Sequence, residues 1–413
     1  MTSTLIHSIR IFDGHSVLTE SGFLYFKDGL IHTVAAGAPP AGLEATNTID
    51  GAGHTILPGL IDAHVHCHGD SRTLALCLKF GVTTVLDMFS DAAASQGLKK
   101  LASEKADYAD IRSAGFGAVI KNGWPGPIVM ATMPDKEVAR KMVESWPLVE
   151  EGREAEWITG RVEEGSDYIK LMQEDGANLL NGPFPTPRPS MQAALVKAAH
   201  ANGILTVAHA MSQKATMTVL EAGTDGLAHC FYDEKPSAEL VDLYKKTGAF
   251  LIPTLVVSAS ITGENVQDSK DILERDVVSK RVGHDEKECF CGRVLLARGG
   301  SVEHSYETVR VLKKNGVDIL AGTDAAKGLH GTVPGLSLHQ ELGLYVHRCG
   351  FTGVEALISA TSTTARRFSL NDRGRIAEGL RADLLMVKGD PTSDIGCTMD
   401  IAGVWRGGVA LEL

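Results

Sequence analysis

The chain is predicted to be α/β, with a (β/α)8 TIM barrel favoured over an open doubly wound sheet, and three observations carry that prediction. The middle of the sequence alternates short apolar strands with helical segments. The two ends are instead β-rich pieces broken by glycine. Neither G-x-G-x-x-G after the first strand nor G-x-x-x-x-G-K-[ST] occurs, which removes the usual nucleotide reading of such alternation.

The N-terminal segment reads as strands in "LIHSIRIFDG" and "GFLYFKDGLIHTVA", with Asp-Gly at 13–14 and 28–29 as turn signals. Candidate barrel strands follow in "TILPGLIDAHVH", "VTTVLDMF", "SAGFGAVI", "YIKLM", "LTVAHA", "GLAHC", "FLIPTL" and "DILAGTD". Helical patterns such as "PSMQAALVKAAHANG", "SQKATMTVLEAG" and "SYETVRVLKKNG" fall between several of them, each stopped by a glycine. Eight such strands are what a (β/α)8 barrel requires. "ADLLMVKGD" and "IAGVWRGGVALEL" close the chain as further strands. Chain ends often lie close together, so both terminal segments are expected to meet in one small domain. The expected boundaries are 1–56 and 371–413 for that domain and 57–370 for the barrel. Residues 258–300, unusually long for a connection, are expected to form a lid.

With 413 residues, 44% hydrophobic and 22% charged, the chain has an ordinary soluble composition. A net charge of −11 argues against nucleic acid or an anionic membrane as partner. No apolar run is long enough to span a bilayer, and the first residues lack the basic start and apolar core of a signal peptide. Seven scattered cysteines read as reduced thiols, so a cytoplasmic location is expected. Cys289 and Cys291 form a lone C-x-C, a weak zinc signal. Monomer and homo-oligomer both stay open.

Function is concentrated in "DAHVHCHGD" at 62–70. Side chains alternate along a strand, so His64, His66 and His68 are expected to share one face. Lys170 lies in the fourth strand, and His209, His229 and Asp324 sit at the ends of the fifth, sixth and eighth. Strand C-termini converge on one mouth of a barrel, where chemistry is built. A lone histidine in an apolar strand is usually core. Six donor-capable residues at the ends of different strands point to a metal centre.

The ordered set "DAHVH", "YIKLM", "VAHA", "LAHC" and "AGTDA" resembles the amidohydrolase superfamily. "ILPGLIDAHVH" and "EALISATSTTARRFSLNDRGRIAEGLRADLLMVKGDP" extend the likeness over nearly the whole chain. It is nearest to the imidazolonepropionase-like and metal-dependent dipeptidase branch, which takes in Xaa-Pro and Xaa-Arg dipeptidases and ochratoxinase-like enzymes. The resemblance implies a barrel with a small β-sandwich built from both termini. It also implies two divalent metal ions: His64, His66 and Asp324 at the more buried one, and His209 and His229 at the more exposed. Lys170 would bridge them after taking up carbon dioxide as a carbamate, since a buried lysine near cations has a depressed pKa. Zinc suits these ligands, with manganese, iron and cobalt as alternatives. The implied reaction is cleavage of an amide bond in a small molecule, a dipeptide or N-acyl amino acid. Water activated by the metals attacks the carbonyl, and Asp324 serves as general base and then acid. Hydrolysis of a cyclic amide, lactone or other ester is the alternative, and a non-catalytic binding protein a third reading. Tyr232, His68 and His330 are expected to contact substrate, with Arg188 and Lys327 as candidate cations for a substrate carboxylate. Related dipeptidases carry a glycine-rich segment with a histidine after the third strand. This chain has "AVIKNGWPGP" there, so Lys121 or Trp124 is expected to take its place.

Overall fold

The computed structural model describes residues 3–412. Ser3–Phe12 pairs antiparallel with Val17–Lys27, which pairs in turn with Leu30–Ala36. His54–Pro58 has Ser3–Phe12 on one side and Leu384–Lys388 on the other. Ile401–Arg406 and Val409–Ala410 continue from Leu384–Lys388, and Asn47–Asp50 pairs with Ser3–Phe12. The first and last parts of the chain thus share one eight-stranded sheet. Alternating apolar positions give that sheet its own core, including Ile6, Ile9, Phe26, Ile56, Leu384 and Trp405.

The expected strand "TILPGLIDAHVH" is two strands. Gly59 separates His54–Pro58, which belongs to the terminal sheet, from Leu60–His66, which opens a parallel sheet. A Cβ at Gly59 would lie 2.3 Å from the Thr83 side chain, so only glycine lets the chain pass there.

Two four-stranded parallel sheets fill the middle of the molecule. One runs Ala325–Ala326, Leu60–His66, Val82–Asp87, Asp110–Ser113; the other runs Ile169–Met172, Thr206–His209, Gly226–Ala228, Phe250–Ile252. Isolated parallel bridges at Ala118–Leu171 and Leu251–Ile319 link them. Their residues are buried on both faces, the pattern of parallel strands covered by helices. The expected helices appear as Pro189–Ala201, Gln213–Glu221 and Val302–Lys314, the last two capped by the side chains of Ser212 and Ser301. Two strands differ from expectation. "SAGFGAVI" is interrupted by Gly115 in the left-handed region (φ 64°), and the strand lies earlier, at Asp110–Ser113. "DILAGTD" keeps only the bridge at Ile319 before Ala325–Ala326, because Asp324 itself turns left-handed (φ 59°). Residues 258–300 fold as helices within Leu255–Thr262, Val266–Glu274, Asp276–Ser279 and His284–Cys291, followed by an extended run. No helix among the described residues is long and apolar enough to cross a membrane.

One carboxylate ties the terminal sheet to the parallel strands. Asp110 accepts hydrogen bonds from Arg373 and from Arg381 (2.9 Å), and the Arg406 guanidinium lies 3.7 Å away. Burial alone would raise the Asp110 carboxyl, but Arg373 and Arg381 outweigh it and hold it well below the usual carboxylate range. An acid depressed by folding stabilises the protein above its unfolded pKa, near 4, and loses that contribution as pH falls. Asp110→Asn is therefore expected to cost about 3 kcal/mol at neutral pH. In urea titrations the gap to wild type should shrink steadily as the pH falls below about 4.

Candidate metal centre

His64 and His66 close the strand Leu60–His66, where alternation sends both rings to one side. Buried Asp62 fixes the strand end. Its carboxylate accepts from the backbone of His64 (3.0 Å) and from the backbone (3.1 Å) and hydroxyl (2.7 Å) of Thr323, beside Asp324. The parallel register levels the remaining strand ends: Met172 lies opposite His209, and His209 opposite Ala228, next to His229. Asp324 is brought in by its own N–H, which donates to His64 O at 2.8 Å.

The side chains converge. Nε2 of His64 and Nε2 of His66 each lie 2.9 Å from Oδ1 of Asp324 and 3.4 Å from one another. Asp324 Oδ1 nevertheless makes no well-formed hydrogen bond. Three ligand atoms this close, with Asp324 Oδ1 left unpartnered, are what a shared cation organises. These three residues form the one group of three or more such donors within 4.8 Å among the described residues. The His229 ring centre lies 4.8 Å from that of His64 and 4.6 Å from that of His209. Lys170, only 2% exposed, has no hydrogen-bond partner at Nζ, and neither has His209 at Nε2. Such orphaned buried groups demand a partner, and the donor set fits a divalent cation.

The electrostatics agree. Burial pulls the Lys170 ammonium down to about 7 and the His64 imidazolium to about 3, and it lowers His209 and His229 as well. Metal ligation needs neutral imidazoles. Burial would raise the Asp324 carboxyl, but the surrounding imidazoles hold it well below the usual carboxylate range, so it stays ionised.

Backbone strain marks the same spot. His229 (φ 76°), Thr254 (φ 49°) and Asp324 (φ 59°) are non-glycine residues in the left-handed region, which costs about 1–3 kcal/mol each. Thr254, β-branched and fully buried, bonds through its hydroxyl to His229 Nδ1 at 2.8 Å, leaving Nε2 to face the site. Glu341, buried, holds the turn by accepting from the backbone of Leu255 and Val256, both at 2.9 Å. Removing such an orienting partner typically costs 10–100-fold in metal affinity. Thr254→Val is thus expected to weaken zinc binding by about tenfold, read by competition with a chromogenic chelator.

Among the residues expected at the substrate, His68 is exposed and turned left-handed (φ 46°), because the strand ends at His66. Alternation does not place it; stacking does, its ring lying 5.5 Å from that of His66 at 12°. Tyr232 is buried and its hydroxyl donates to Asn178 O (3.1 Å). His330 is exposed, its ring packed over Gly292 and its carbonyl accepting from Ser260. Arg188 pairs with Glu151 (2.8 Å) and Lys327 with Asp70 (3.4 Å). Trp124 stacks on His209, ring centres 4.9 Å apart at 22°. Sequence reasoning assigned nothing to Asp62, Thr254 or Glu174. Glu174 is buried, accepts from the backbone of Gly176 and Met211, and lies 3.7 Å from His209 Nε2. A carboxylate two residues beyond the end of an apolar strand, in "YIKLMQED", was the signal available for it.

The model of the family described as Amidohydrolase family matches residues 55–411. An uncharacterized protein of Mycobacterium tuberculosis is 25% identical over 382 residues, covering 90% of this chain and 87% of that one. The imidazolonepropionase of Deinococcus deserti is 34% identical over 96 residues, 22% of this chain and 23% of the enzyme. In fold, the chain is similar to the crystal structure of a Xaa-Pro dipeptidase with methionine bound in its active site. The TM-score is 0.77 at 22% identity, with all of both chains covered.

Proposed function

We propose, on the premise that this chain belongs to the amidohydrolase family, that it is a metal-dependent hydrolase acting on a carbon–nitrogen amide bond of a small molecule such as a dipeptide or N-acyl amino acid. The observation that carries this reading is the convergence of His64, His66 and Asp324 on one point, with Lys170, His209 and His229 closing around it. The two parallel sheets are read as one closed (β/α)8 barrel, supported by the bridges Ala118–Leu171 and Leu251–Ile319 that join both pairs of edges. The terminal sheet with its separate core is read as the β-sandwich, residues 1–56 and 371–413 beside a barrel of 57–370.

His64, His66 and Asp324 would hold one divalent ion, zinc being the best match, and His209 and His229 a second, with a carbamate on Lys170 between them. Bound there, the metals supply Lewis-acid polarisation of the amide carbonyl and bring the pKa of water from about 15.7 toward neutrality. The rest of the chemistry belongs to the protein. The ionised Asp324 carboxylate takes a proton from the attacking water and returns it to the leaving nitrogen. Asp62 and Thr323 fix the backbone on either side of it. Thr254 fixes the His229 tautomer by occupying Nδ1. Trp124 covers one face of His209 and keeps bulk water from it.

The test combines metal content with turnover. Protein purified without chelator should carry about two zinc ions per chain. Loaded with zinc or manganese, it should hydrolyse members of a panel of dipeptides, N-acyl amino acids and lactones. Turnover of lactones alone would replace amide cleavage with ester cleavage, and absence of metal would remove the enzyme reading altogether.

A further inference from the structure

Trp124, which lies on the His209 ring, belongs to an apolar shell built from several loops over the strand ends. Phe184 lies 6.2 Å from it, ring centre to ring centre, and Leu179, Met211 and Val257 complete the same cluster. These residues follow four different strands, Asp110–Ser113, Ile169–Met172, Thr206–His209 and Phe250–Ile252, so the shell lines the His209 side of the mouth. Leu180 N donates to Leu296 O (3.0 Å) and Arg298 N to Asn178 O (2.8 Å), with an antiparallel bridge at Leu179–Ala297. This short ladder roofs the shell with backbone and leucine. Leu180 and Leu295 are 53% and 59% exposed on it.

Several polar groups near this shell already have partners. The Tyr232 hydroxyl is held by Asn178 O. Arg298 donates to Leu180 O, and Arg293 to the carbonyls of Glu264 and Gly292. Arg188 and Lys327 are ion-paired with Glu151 and Asp70. A carboxylate entering here would give up hydration against the apolar shell, with exposed Lys121 the cation on the Trp124 loop left unpaired among the described residues, whereas an apolar group gains by leaving water.

We infer that the group flanking the scissile amide is uncharged and apolar, an aromatic or branched alkyl substituent received by Trp124 and Phe184, rather than the free carboxylate of a dipeptide. The inference rests on the amidohydrolase reading above and narrows its substrate class. Its rival is Lys121, exposed on the same loop as Trp124, the cation a carboxylate substrate would use.

Calorimetric titration of the zinc-loaded protein with two unreactive sulfonamides separates them: N-cyclohexylmethanesulfonamide and N-(methylsulfonyl)glycine, which share a polar core. The cyclohexyl compound should bind at least about tenfold more tightly. Trp124→Ala should erase that preference, as should Phe184→Ala in case the first variant folds poorly, and Lys121→Ala should leave it in place. Equal or tighter binding of the glycine compound, abolished by Lys121→Ala, would overturn the inference and leave the hydrolase reading standing. Binding needs no turnover, so a preference for the cyclohexyl compound without hydrolysis of any amide in the panel would sink the hydrolase reading alone.

Discussion

Asp324→Asn is expected to lower kcat by about three orders of magnitude while leaving the fold intact. General acid–base catalysis is worth about 10²–10⁴-fold, and in the proposed mechanism Asp324 both moves the proton and ligates. Its Oδ1 lies 2.9 Å from two imidazole nitrogens, and the carboxyl is held ionised. An amide in its place can coordinate weakly but cannot accept the proton. Asparagine is the informative substitution because it tolerates the left-handed backbone that residue 324 adopts; alanine would add strain to lost chemistry. The measurements are kcat on the best panel substrate, metal content and Tm. Wild-type turnover in this variant would remove Asp324 from the chemical step.

Lys170→Ala should be comparably severe, with a different signature. A bridging ligand serves two ions at once, so zinc content is expected to drop from about two per chain to one or fewer, and kcat by about 10³-fold or more. Stability should respond little, because Nζ is buried without a hydrogen-bond partner and its ammonium is already disfavoured. A merely structural lysine would show the reverse, a lowered Tm with metal retained. Full activity and full metal content together would end the two-metal reading.

The site was legible where chemistry departs from texture. Histidines spaced by two, a lysine inside "YIKLM" and an aspartate closing "DILAGTD" are conspicuous in apolar strands, because burying them demands a reason. The segment holding Lys121 and Trp124 was readable as a departure near the site, though not which of the two would stack on His209. What stayed hidden depends on three-dimensional neighbours. Thr254 is an unremarkable residue of "FLIPTL" until a left-handed backbone turns its hydroxyl toward His229. His68 follows the alternation in sequence, but the strand stops two residues short of it. Alternation of strands and helices announced α/β, yet strand limits failed at residues 113–120 and 318–324, where glycine or a left-handed aspartate ends the extension. Asp110 and its arginines, more than 260 residues apart, could not be paired from sequence.

His54–Pro58 is flanked by Ser3–Phe12 on one side and by Leu384–Lys388 on the other. During synthesis the earlier neighbour is available at once, but the later one emerges only after more than 300 further residues. One side of that strand therefore waits, unpaired and apolar, until that later neighbour has been made. Leu60–His66 leaves the same strand across a single glycine, so the first two histidines of the site are anchored to a sheet that cannot close until Leu384–Lys388 has been made. Vectorial folding alone cannot complete this molecule. The candidate site is expected to mature only after that pairing, and nascent chains stalled before residue 384 should be the species that depends most on chaperones.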